Sequence, residues 1–479
     1  MTGNELLDWF IYGFNYLILL FAVTVMTSYL ILAAISGVSL KSYLRRNKFV
    51  NYNALLALDS APHVSLIAPA YNEGRTIQEN VRSLLSINYN NFDVIVVNDG
   101  SKDNSIPLLI EKFDLVLSDR KYHPQIPTKE VKAIYVSSNP AYSRLIVVDK
   151  ENGGKADALN TGINISKNPY LVCIDVDCIM DKDVLLKLAK PYMEQSGTRT
   201  IATGGVVRIA NSCVIKSGKL MEVRAPEKML ARIQVIEYLR AFILGRMAWS
   251  KLDGLLIISG AFGMFDREIA VACGGYDTKT VGEDMELIVR MRRYMIERKE
   301  PYSVQYIPDP LCWTEAPETY KILRKQRSRW MRGTIETLFT HRKMLLNPKY
   351  KTLGLLSYPY WLFFEYYAPI VEVSGLLITI LLVVLGILSW KFFFLFLLFV
   401  YAFAVMFSMM ALYTEESTYR RYKTLSDHWK LVMAALLEPI IFHPFTVYAA
   451  IIGNWEKIRG NKGWGDMTRT GFNKPEASN

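Results

Sequence analysis

Two short clusters in the second half of the chain carry residues suited to moving a proton and holding a phosphate. Glu283 and Asp284 form an acidic pair, and Gln326, Arg329 and Trp330 form a Gln-x-x-Arg-Trp box. A carboxylate can remove a proton from a hydroxyl, and a guanidinium binds a diphosphate through charge-assisted hydrogen bonds. An indole offers a platform for the apolar face of a sugar ring, although a tryptophan near a membrane also serves as an interface anchor.

A third cluster, Asp175-Val176-Asp177, follows the apolar run 170–174. Two carboxylates at i and i+2 just past a strand can share a hard cation, with a diphosphate supplying further oxygen ligands. The alternative is an ordinary acidic turn. We predict that Asp175 and Asp177 bind Mg²⁺ or Mn²⁺.

Three loops earlier in the chain carry polar residues where ligands could bind. Segment 69–73 contains Tyr71 and Glu73, segment 99–101 begins with Asp99, and segment 152–155 ends in Gly-Gly-Lys155. The first could bind a base or ribose, the second could accept from a uracil N–H, and the third resembles a backbone nest for phosphate. Each also has a plain interpretation as a helix cap or a loop that enters a helix.

These segments lie in an α/β pattern between residues 61 and 340. Apolar runs predict buried strands, and spacing of 3.6 residues predicts helices between them. The strands are predicted at 64–68, 92–97, 145–148 and 170–174, and the helices at 76–87, 108–113 and 154–165. Such alternation predicts a doubly wound, mostly parallel sheet, in which ligands bind at the carboxyl ends of the strands. Asp99, Asp175 and Asp177 all fall at such ends.

The second half of this region has a different pattern. It predicts a long helix over 228–249, a glycine-punctuated loop or strand over 257–265 and a charged helix over 283–298. Segment 317–345 is basic and amphipathic, which suits a membrane surface.

Both ends of the chain are apolar. Segment 10–40 contains no charged residue and is long enough to cross a bilayer. It is too long for the core of a signal peptide and lacks a preceding Lys or Arg, so we predict a signal anchor. Basic residues follow it and acidic ones precede it, which predicts an N-terminus (1–9) outside the cell and a cytoplasmic domain over 41–350.

The C-terminal apolar region, 351–455, predicts an interfacial helix over 358–375 and three spans over 376–388, 392–412 and 431–452. The tail, 456–479, is basic, which places it inside. Three spans would instead leave it outside, so one segment is re-entrant or miscounted. The layout predicts a multi-pass protein of the cell membrane.

Composition excludes several other classes of protein. The net charge of +11 suits a membrane surface, and the chain contains no recognised nucleic-acid module, so we expect no nucleic-acid partner. The five cysteines form no C-x-x-C pair, which argues against zinc and for reduced thiols. The five histidines form no arguable Ser-His-Asp arrangement.

Taken as a set, the motifs resemble the membrane-integrated processive glycosyltransferases of family 2, which include cellulose, hyaluronan, chitin and poly-N-acetylglucosamine synthases. The resemblance covers 64–333 and rests on seven segments: 69–73, 99–101, 153–155, 175–177, 259–263, 282–284 and 326–330. It implies a GT-A fold, a nucleotide-sugar donor such as UDP-glucose or UDP-N-acetylglucosamine, and inversion at the anomeric carbon.

The resemblance also implies a role for each site residue. Donor binding would fall to the residues of the strand-end loops: Tyr71, Glu73 and Asp99 at the uridine, Lys155 near the nucleotide, and Asp175 and Asp177 at the diphosphate, with Asp177 acting through the metal. Asp284 would be the general base. Diphosphate and acceptor binding would fall to Gln326, Arg329, Trp330, Glu283 and Gly260.

The expected function is therefore polymerisation of a β-linked polysaccharide and its secretion through the chain's own spans. Its partners would be the donor, the growing glycan acceptor and membrane lipid, and an accessory subunit or homo-oligomer could complete a pore. One alternative is a single sugar addition to a lipid acceptor, but transferases of that kind usually lack the Gln-x-x-Arg-Trp box. The other is a non-catalytic membrane scaffold.

Overall fold

The structure is a computed structural model, and it describes residues 3–56, 61–74, 76–194, 197–216 and 218–460. Most of the predicted tail, 461–479, lies outside the described residues.

The described residues contain one large sheet. Its strands and those of a separate hairpin are β1 (Val64–Ala70), β2 (Phe92–Asp99), β3 (Leu115–Leu117), β4 (Val131–Ser137), β5 (Leu145–Lys150), β6 (Tyr170–Ile174), β7 (Ile179–Met180), β8 (Arg199–Ile209), β9 (Val214–Lys216), β10 (Lys219–Glu222), β11 (Phe262–Asp266) and β12 (Tyr302–Thr314). The order across the sheet is β3-β4-β5-β2-β1-β6-β11-β8-β12-β7, and β9 pairs with β10.

The strands of the sheet run mostly in one direction. Strands β5, β2, β1 and β6 form a parallel block, and β8 is parallel to β12. Strands β4, β7 and β11 run opposite to the rest. From β1 the chain moves outward to β2 and β5 and then returns to β6 on the other side of β1, so the strand order reverses between β1 and β6. In open α/β sheets ligands bind at the carboxyl edge beside this reversal.

Helices cover the sheet and extend beyond it. They are α1 (Gly3–Asn47), α2 (Tyr52–Leu56), α3 (Ile77–Leu85), α4 (Ser105–Lys112), α5 (Lys155–Ile165), α6 (Val184–Met193), α7 (Met229–Leu239), α8 (Met247–Lys251), α9 (Arg267–Ala272), α10 (Glu283–Glu297), α11 (Tyr320–Thr340), α12 (Tyr358–Tyr360), α13 (Ala368–Val384), α14 (Trp390–Thr418), α15 (Leu425–Leu437) and α16 (His443–Ile458). Arg240–Arg246, between α7 and α8, is a π-helix.

The predicted doubly wound α/β arrangement is confirmed. Strands β1, β2, β5 and β6 and helices α3, α5 and α10 lie where the apolar patterns predict them. The apolar runs of the parallel strands are buried, with Val64, Leu66 and Ile67 at 0% exposure, as expected where helices cover both faces of a sheet. Strands β4, β8 and β12 were not predicted.

Four helical stretches in the described residues are long and apolar enough to cross a membrane: Ile11–Asn47, Leu353–Val384, Trp390–Thr418 and Leu425–Ile458. The second differs from the prediction, because the proposed interfacial helix 358–375 and the following span form one helical stretch that includes π turns. Many side chains of these helices are exposed, such as Leu376 at 59% and Leu398 at 62%. Apolar surface of this extent requires lipid or a partner, so the fold indicates membrane integration, while the number of spans and their sidedness stay predictions.

Several ion pairs connect the α/β domain to the apolar helices, and two of them are largely buried. Arg208 on β8 pairs with Glu415 on α14, and both side chains are 3% exposed. Arg240 lies in the π-helix that follows α7, and its guanidinium donates to the Glu438 carboxylate at a distance of 2.8 Å. A buried charge that loses its partner is uncompensated and costs free energy. These pairs therefore disfavour any movement of the domain away from the apolar helices.

Candidate functional site

The loops that follow β1 and β2 are hydrogen-bonded to each other. The backbone N–H of Asn72 donates to the Ser101 hydroxyl at 2.9 Å, and the backbone N–H of Lys102 donates to the Asn72 side-chain oxygen at 2.9 Å. Asn72 adopts φ of 56°, a left-handed conformation that asparagine tolerates better than most residues. Tyr71 is 46% exposed at the tip of this loop. The predicted residues Tyr71, Glu73 and Asp99 therefore share one edge of the sheet.

Asp99 binds the loop that leads into α5. Its carboxylate accepts from the backbone N–H groups of Gly153 at 2.9 Å and Gly154 at 2.8 Å. It also accepts from Lys150 Nζ at 2.8 Å. Lys150 is fully buried and pairs with Asp157 at 2.6 Å as well. Asp99 thus holds the Gly-Gly-Lys loop in place, a role that the sequence did not predict for it.

Asp175 and Asp177 lie immediately past β6, at the point where the strand order reverses. One oxygen of each carboxylate and the Cys178 sulfur all lie within 4.8 Å of one another. The backbone N–H of Asp175 donates to the Ala261 carbonyl at 2.9 Å, which fixes the turn against the segment before β11. Hard divalent cations prefer carboxylate oxygens, so the two carboxylates fit the metal predicted from the sequence.

Lys155 joins this acidic turn to the second acidic cluster. Its Nζ lies 2.6 Å from Asp175 and 3.6 Å from Glu283, and it donates to the Gly260 carbonyl at 3.1 Å. Burial by itself lowers the pKa of Lys155, but the carboxylates of Asp175 and Glu283 outweigh burial and raise the pKa above its ordinary value. The ammonium is therefore charged at neutral pH, between the turn after β6 and the start of α10.

Glu283 and Asp284 begin α10 but differ in environment. Glu283 is 4% exposed, and burial raises its pKa to about 7 despite the opposing charge of Lys155. Asp284 is half-buried and faces Gly260, since a Cβ on that glycine would lie 2.6 Å from Asp284 Oδ2. The more accessible Asp284 can reach a substrate, whereas Glu283 contacts the lysine beneath it.

The start of α10 is held against α11 by a close contact between two glycines. A Cβ on Gly282 would lie 2.6 Å from the Cα of Gly333, and one on Gly333 would lie 2.7 Å from the Cα of Gly282. Only residues without Cβ allow the two backbones to approach this closely. Glu336 on α11 accepts from the Val281 backbone N–H at 3.0 Å and from the Thr280 hydroxyl at 2.7 Å. The acidic pair is thus positioned by the helix that carries the Gln-x-x-Arg-Trp box.

The box occupies the middle of α11. Burial raises the pKa of Glu283, and the charge of Arg329 partly opposes this rise. Trp330 is 41% exposed. The Gln326 side-chain oxygen is buried with no hydrogen-bond partner among the described residues. The box therefore lies on the helix that packs against the start of α10, where the acidic pair lies.

Several residues of the site were missed by sequence reasoning. Lys150 follows an apolar strand, and a charged residue at such an end was the only local signal. Gly333 interrupts a helical pattern, which usually has a packing reason. The Arg327–Glu237 pair joins residues 90 positions apart, and such a pairing leaves no trace in a single sequence.

Comparison with known proteins agrees with this geometry. Residues 170–407 match the profile described as glycosyl transferase family group 2, and residues 65–123 match glycosyl transferase family 2. The poly-beta-1,6-N-acetyl-D-glucosamine synthase of Staphylococcus epidermidis is 30% identical over 67% of this chain and 65% of the relative. The enzyme of the same name from Staphylococcus aureus strain COL is 28% identical over 64% and 62%. The matched region thus spans less than two thirds of these relatives.

A solved structure also aligns with the chain. It is a mannosyltransferase from Pyrobaculum calidifontis in complex with GDP-Man and Mn²⁺, with 18% identity and a TM-score of 0.46 over 91% of this chain and 99% of that one.

The two profile matches together span more than half of the chain and include β1, the Asp175–Asp177 turn, the acidic pair and the box. The relatives are named as synthases of a polysaccharide, which is consistent with a glycosyltransferase. The chain belongs to glycosyltransferase family 2.

Proposed function

We propose that this chain polymerises N-acetylglucosamine from UDP-N-acetylglucosamine into a β-1,6-linked polysaccharide. The observation that carries the proposal is the position of Lys155, 2.6 Å from Asp175 and 3.6 Å from Glu283. Lys155 thus contacts both the acidic turn where the diphosphate would bind and the acidic pair where the acceptor would bind, which supports a reaction between the two ligands. The names of the relatives support the choice of sugar and linkage.

The donor would lie along the carboxyl edge of β1, β2 and β6. Tyr71, Glu73 and Asp99 would contact the uridine. Three of the four lone-pair positions of the Asp99 carboxylate already accept from Lys150, Gly153 and Gly154, and the fourth remains for a uracil N–H. The diphosphate would lie between Lys155 and Arg329, whose positive charges favour the departing nucleoside diphosphate.

Asp284 would act as the general base. It would accept the proton of an acceptor hydroxyl while that oxygen forms a bond to the anomeric carbon and the bond from this carbon to the diphosphate oxygen breaks. The electron pair leaves with UDP, so an α-linked donor gives a β-linked product. Trp330 and Gln326 would hold the terminal sugar of the acceptor, and Glu283 and Gly260 would line the acceptor end of the site.

Asp175 and Asp177 would hold one Mg²⁺ or Mn²⁺. Such an ion, when bound, supplies positive charge that stabilises the leaving diphosphate. The carboxylate spacing described above supports this assignment, and Lys155 beside Asp175 would bind the same diphosphate from the other side.

The apolar helices would carry the product across the membrane. We propose the predicted layout, with residues 1–9 outside, a first span over 10–40, a cytoplasmic catalytic domain over 41–350, a membrane region over 351–455 and a tail over 456–479. Membrane lipid surrounds these helices, and an accessory subunit or a second copy of the chain would complete a pore.

The test uses the purified full chain in lipid nanodiscs. Radiolabelled UDP-N-acetylglucosamine and UDP-glucose are supplied separately with Mg²⁺ or Mn²⁺, and the product is treated with a hydrolase specific for β-1,6-linked N-acetylglucosamine. We expect label from UDP-N-acetylglucosamine in a high-molecular-mass product that the hydrolase degrades.

Two variants on α10 provide the control. Asp284→Asn should abolish incorporation, whereas Glu297→Gln, at the other end of the same helix, should leave it unchanged. A single sugar added to lipid would overturn polymerisation in favour of single addition. Incorporation that persists in Asp284→Asn would overturn the assigned base.

A further inference from the structure

Arg327 is one of the two unspecified residues of the Gln-x-x-Arg-Trp box, and it contacts the box tryptophan. We infer that Arg327, held by Glu237, positions Trp330 as the platform for the acceptor's terminal sugar. The inference rests on the proposed polymerase activity and names a positioning residue for it.

The first observation is the ion pair that fixes the guanidinium. Arg327 Nη1 and Nη2 donate to the two carboxylate oxygens of Glu237, each at 2.6 Å. The side chains are 8% and 24% exposed, respectively. A bidentate pair of this kind fixes the plane of the guanidinium as well as its position, so Glu237 on α7 sets the orientation of a side chain on α11.

The second observation is the stacking on the indole. Arg327 Cζ lies 4.2 Å from the centroid of the Trp330 ring, within the range of a cation–π contact. The two residues are three positions apart on α11 and therefore neighbours on its surface. Trp330 nevertheless remains 41% exposed, so the ring combines a fixed contact with surface that a sugar can cover.

The third observation is that the same guanidinium lies 5.7 Å from the ring centroid of Phe442. Phe442 belongs to the π-helix between α15 and α16, inside the apolar stretch Leu425–Ile458. Arg327 is therefore surrounded by α7, its own helix and the last apolar stretch. Without the Arg327 contact, the exposed Trp330 side chain would sample several rotamers. Acceptor binding would then have to fix one of them, which costs affinity.

The test separates stacking from the ion pair by exchanging the charges. Arg327→Leu removes both. The double variant Glu237→Arg with Arg327→Glu keeps an ion pair between the helices but removes the guanidinium from the indole. Each is assayed for the half-saturating concentration of a short β-1,6-linked N-acetylglucosamine oligosaccharide, the KM for UDP-N-acetylglucosamine and the midpoint of thermal unfolding. The matched control is Arg293→Leu, which breaks the more exposed Arg293–Glu297 pair on α10.

We expect Arg327→Leu to raise the half-saturating acceptor concentration about two- to tenfold, the range of one cation–π contact, with the donor KM unchanged. The charge exchange should recover most of the thermal midpoint but not the acceptor affinity. Recovery of both would show that the pair is only structural and would overturn the inference. A normal acceptor affinity in Arg327→Leu would overturn it as well.

A measurement without turnover separates this inference from the proposed function. Acceptor binding is measured by tryptophan fluorescence in the absence of donor. The contribution of Trp330 is obtained by subtracting the fluorescence change of the Trp330→Phe variant. Weaker binding in Arg327→Leu than in wild type supports the positioning role, and equal binding refutes it. Failure of wild type to extend any acceptor would instead overturn the proposed function.

Discussion

The contact between Gly282 and Gly333 predicts that adding one methyl group will reduce catalysis. In Gly333→Ala the new Cβ would lie 2.7 Å from the Cα and 3.0 Å from the backbone nitrogen of Gly282. Both are backbone atoms, so no change of rotamer can relieve the overlap. The start of α10, with Glu283 and Asp284, must move away from α11 and its Arg329.

The size of the effect follows from the distances. Carbon atoms pack at about 3.5–4.0 Å, so the helices must separate by about 1 Å. A misplacement of about 1 Å can cost about 100-fold in rate. Overpacking costs about 1–3 kcal/mol in free energy of unfolding, and replacing a helix-interior glycine with alanine returns about 1 kcal/mol. We therefore expect a large loss of turnover with a stability loss of only about 0–2 kcal/mol.

The assay compares initial rates of sugar incorporation and thermal midpoints in nanodiscs. Gly37→Ala is the matched control, because Gly37 also lies inside a long helix but a Cβ there meets nothing within 4 Å among the described residues. It should keep full activity and equal or higher stability. If Gly333→Ala kept wild-type turnover, the contact between α10 and α11 would not position the acidic pair, and the reasoning would be wrong.

Three further outcomes are expected at the same site. Gly260→Ala should lower the rate of incorporation with little change in thermal midpoint, because the added Cβ meets the mobile end of the Asp284 side chain at 2.6 Å; an unchanged rate would contradict the proposed role of this carboxylate. Lys150→Met should lower the free energy of unfolding by about 3–5 kcal/mol, since it leaves two buried carboxylates without their cation. Denaturant or thermal unfolding measures this loss, and a loss below about 1 kcal/mol would contradict the prediction. Glu283→Gln should stabilise the protein relative to wild type above pH 7 and not below about pH 4.5. The pKa of Glu283 is raised to about 7 in the folded state, so the wild-type protein loses stability as pH rises through this range. A difference in stability that does not depend on pH would refute the assigned shift.

The predictable part of the fold is the part written in local patterns. The strand at Val64–Ala70 and the acidic turn after Tyr170–Ile174 could be predicted because parallel strands covered by helices are continuous apolar runs. Strands β8 and β12 were missed because their residues are not uniformly apolar: β8 contains two glycines, and β12 contains Pro308 and Pro310. Their pairing, between residues about 100 positions apart, is visible only in the folded sheet.

The amino-acid sequence by itself determined which chemistry is available: carboxylates after strands, an acidic pair, a basic box with a tryptophan, and apolar ends. Only the tertiary structure decided how these meet. It brought Lys155 between Asp175 and Glu283, assigned Asp99 to the Gly-Gly-Lys loop and set α10 against α11 at Gly282. The physical reason is that each motif consists of a few neighbouring residues whose chemistry can be recognised from the sequence. Ion pairs and backbone contacts between distant segments depend instead on how the helices and strands pack.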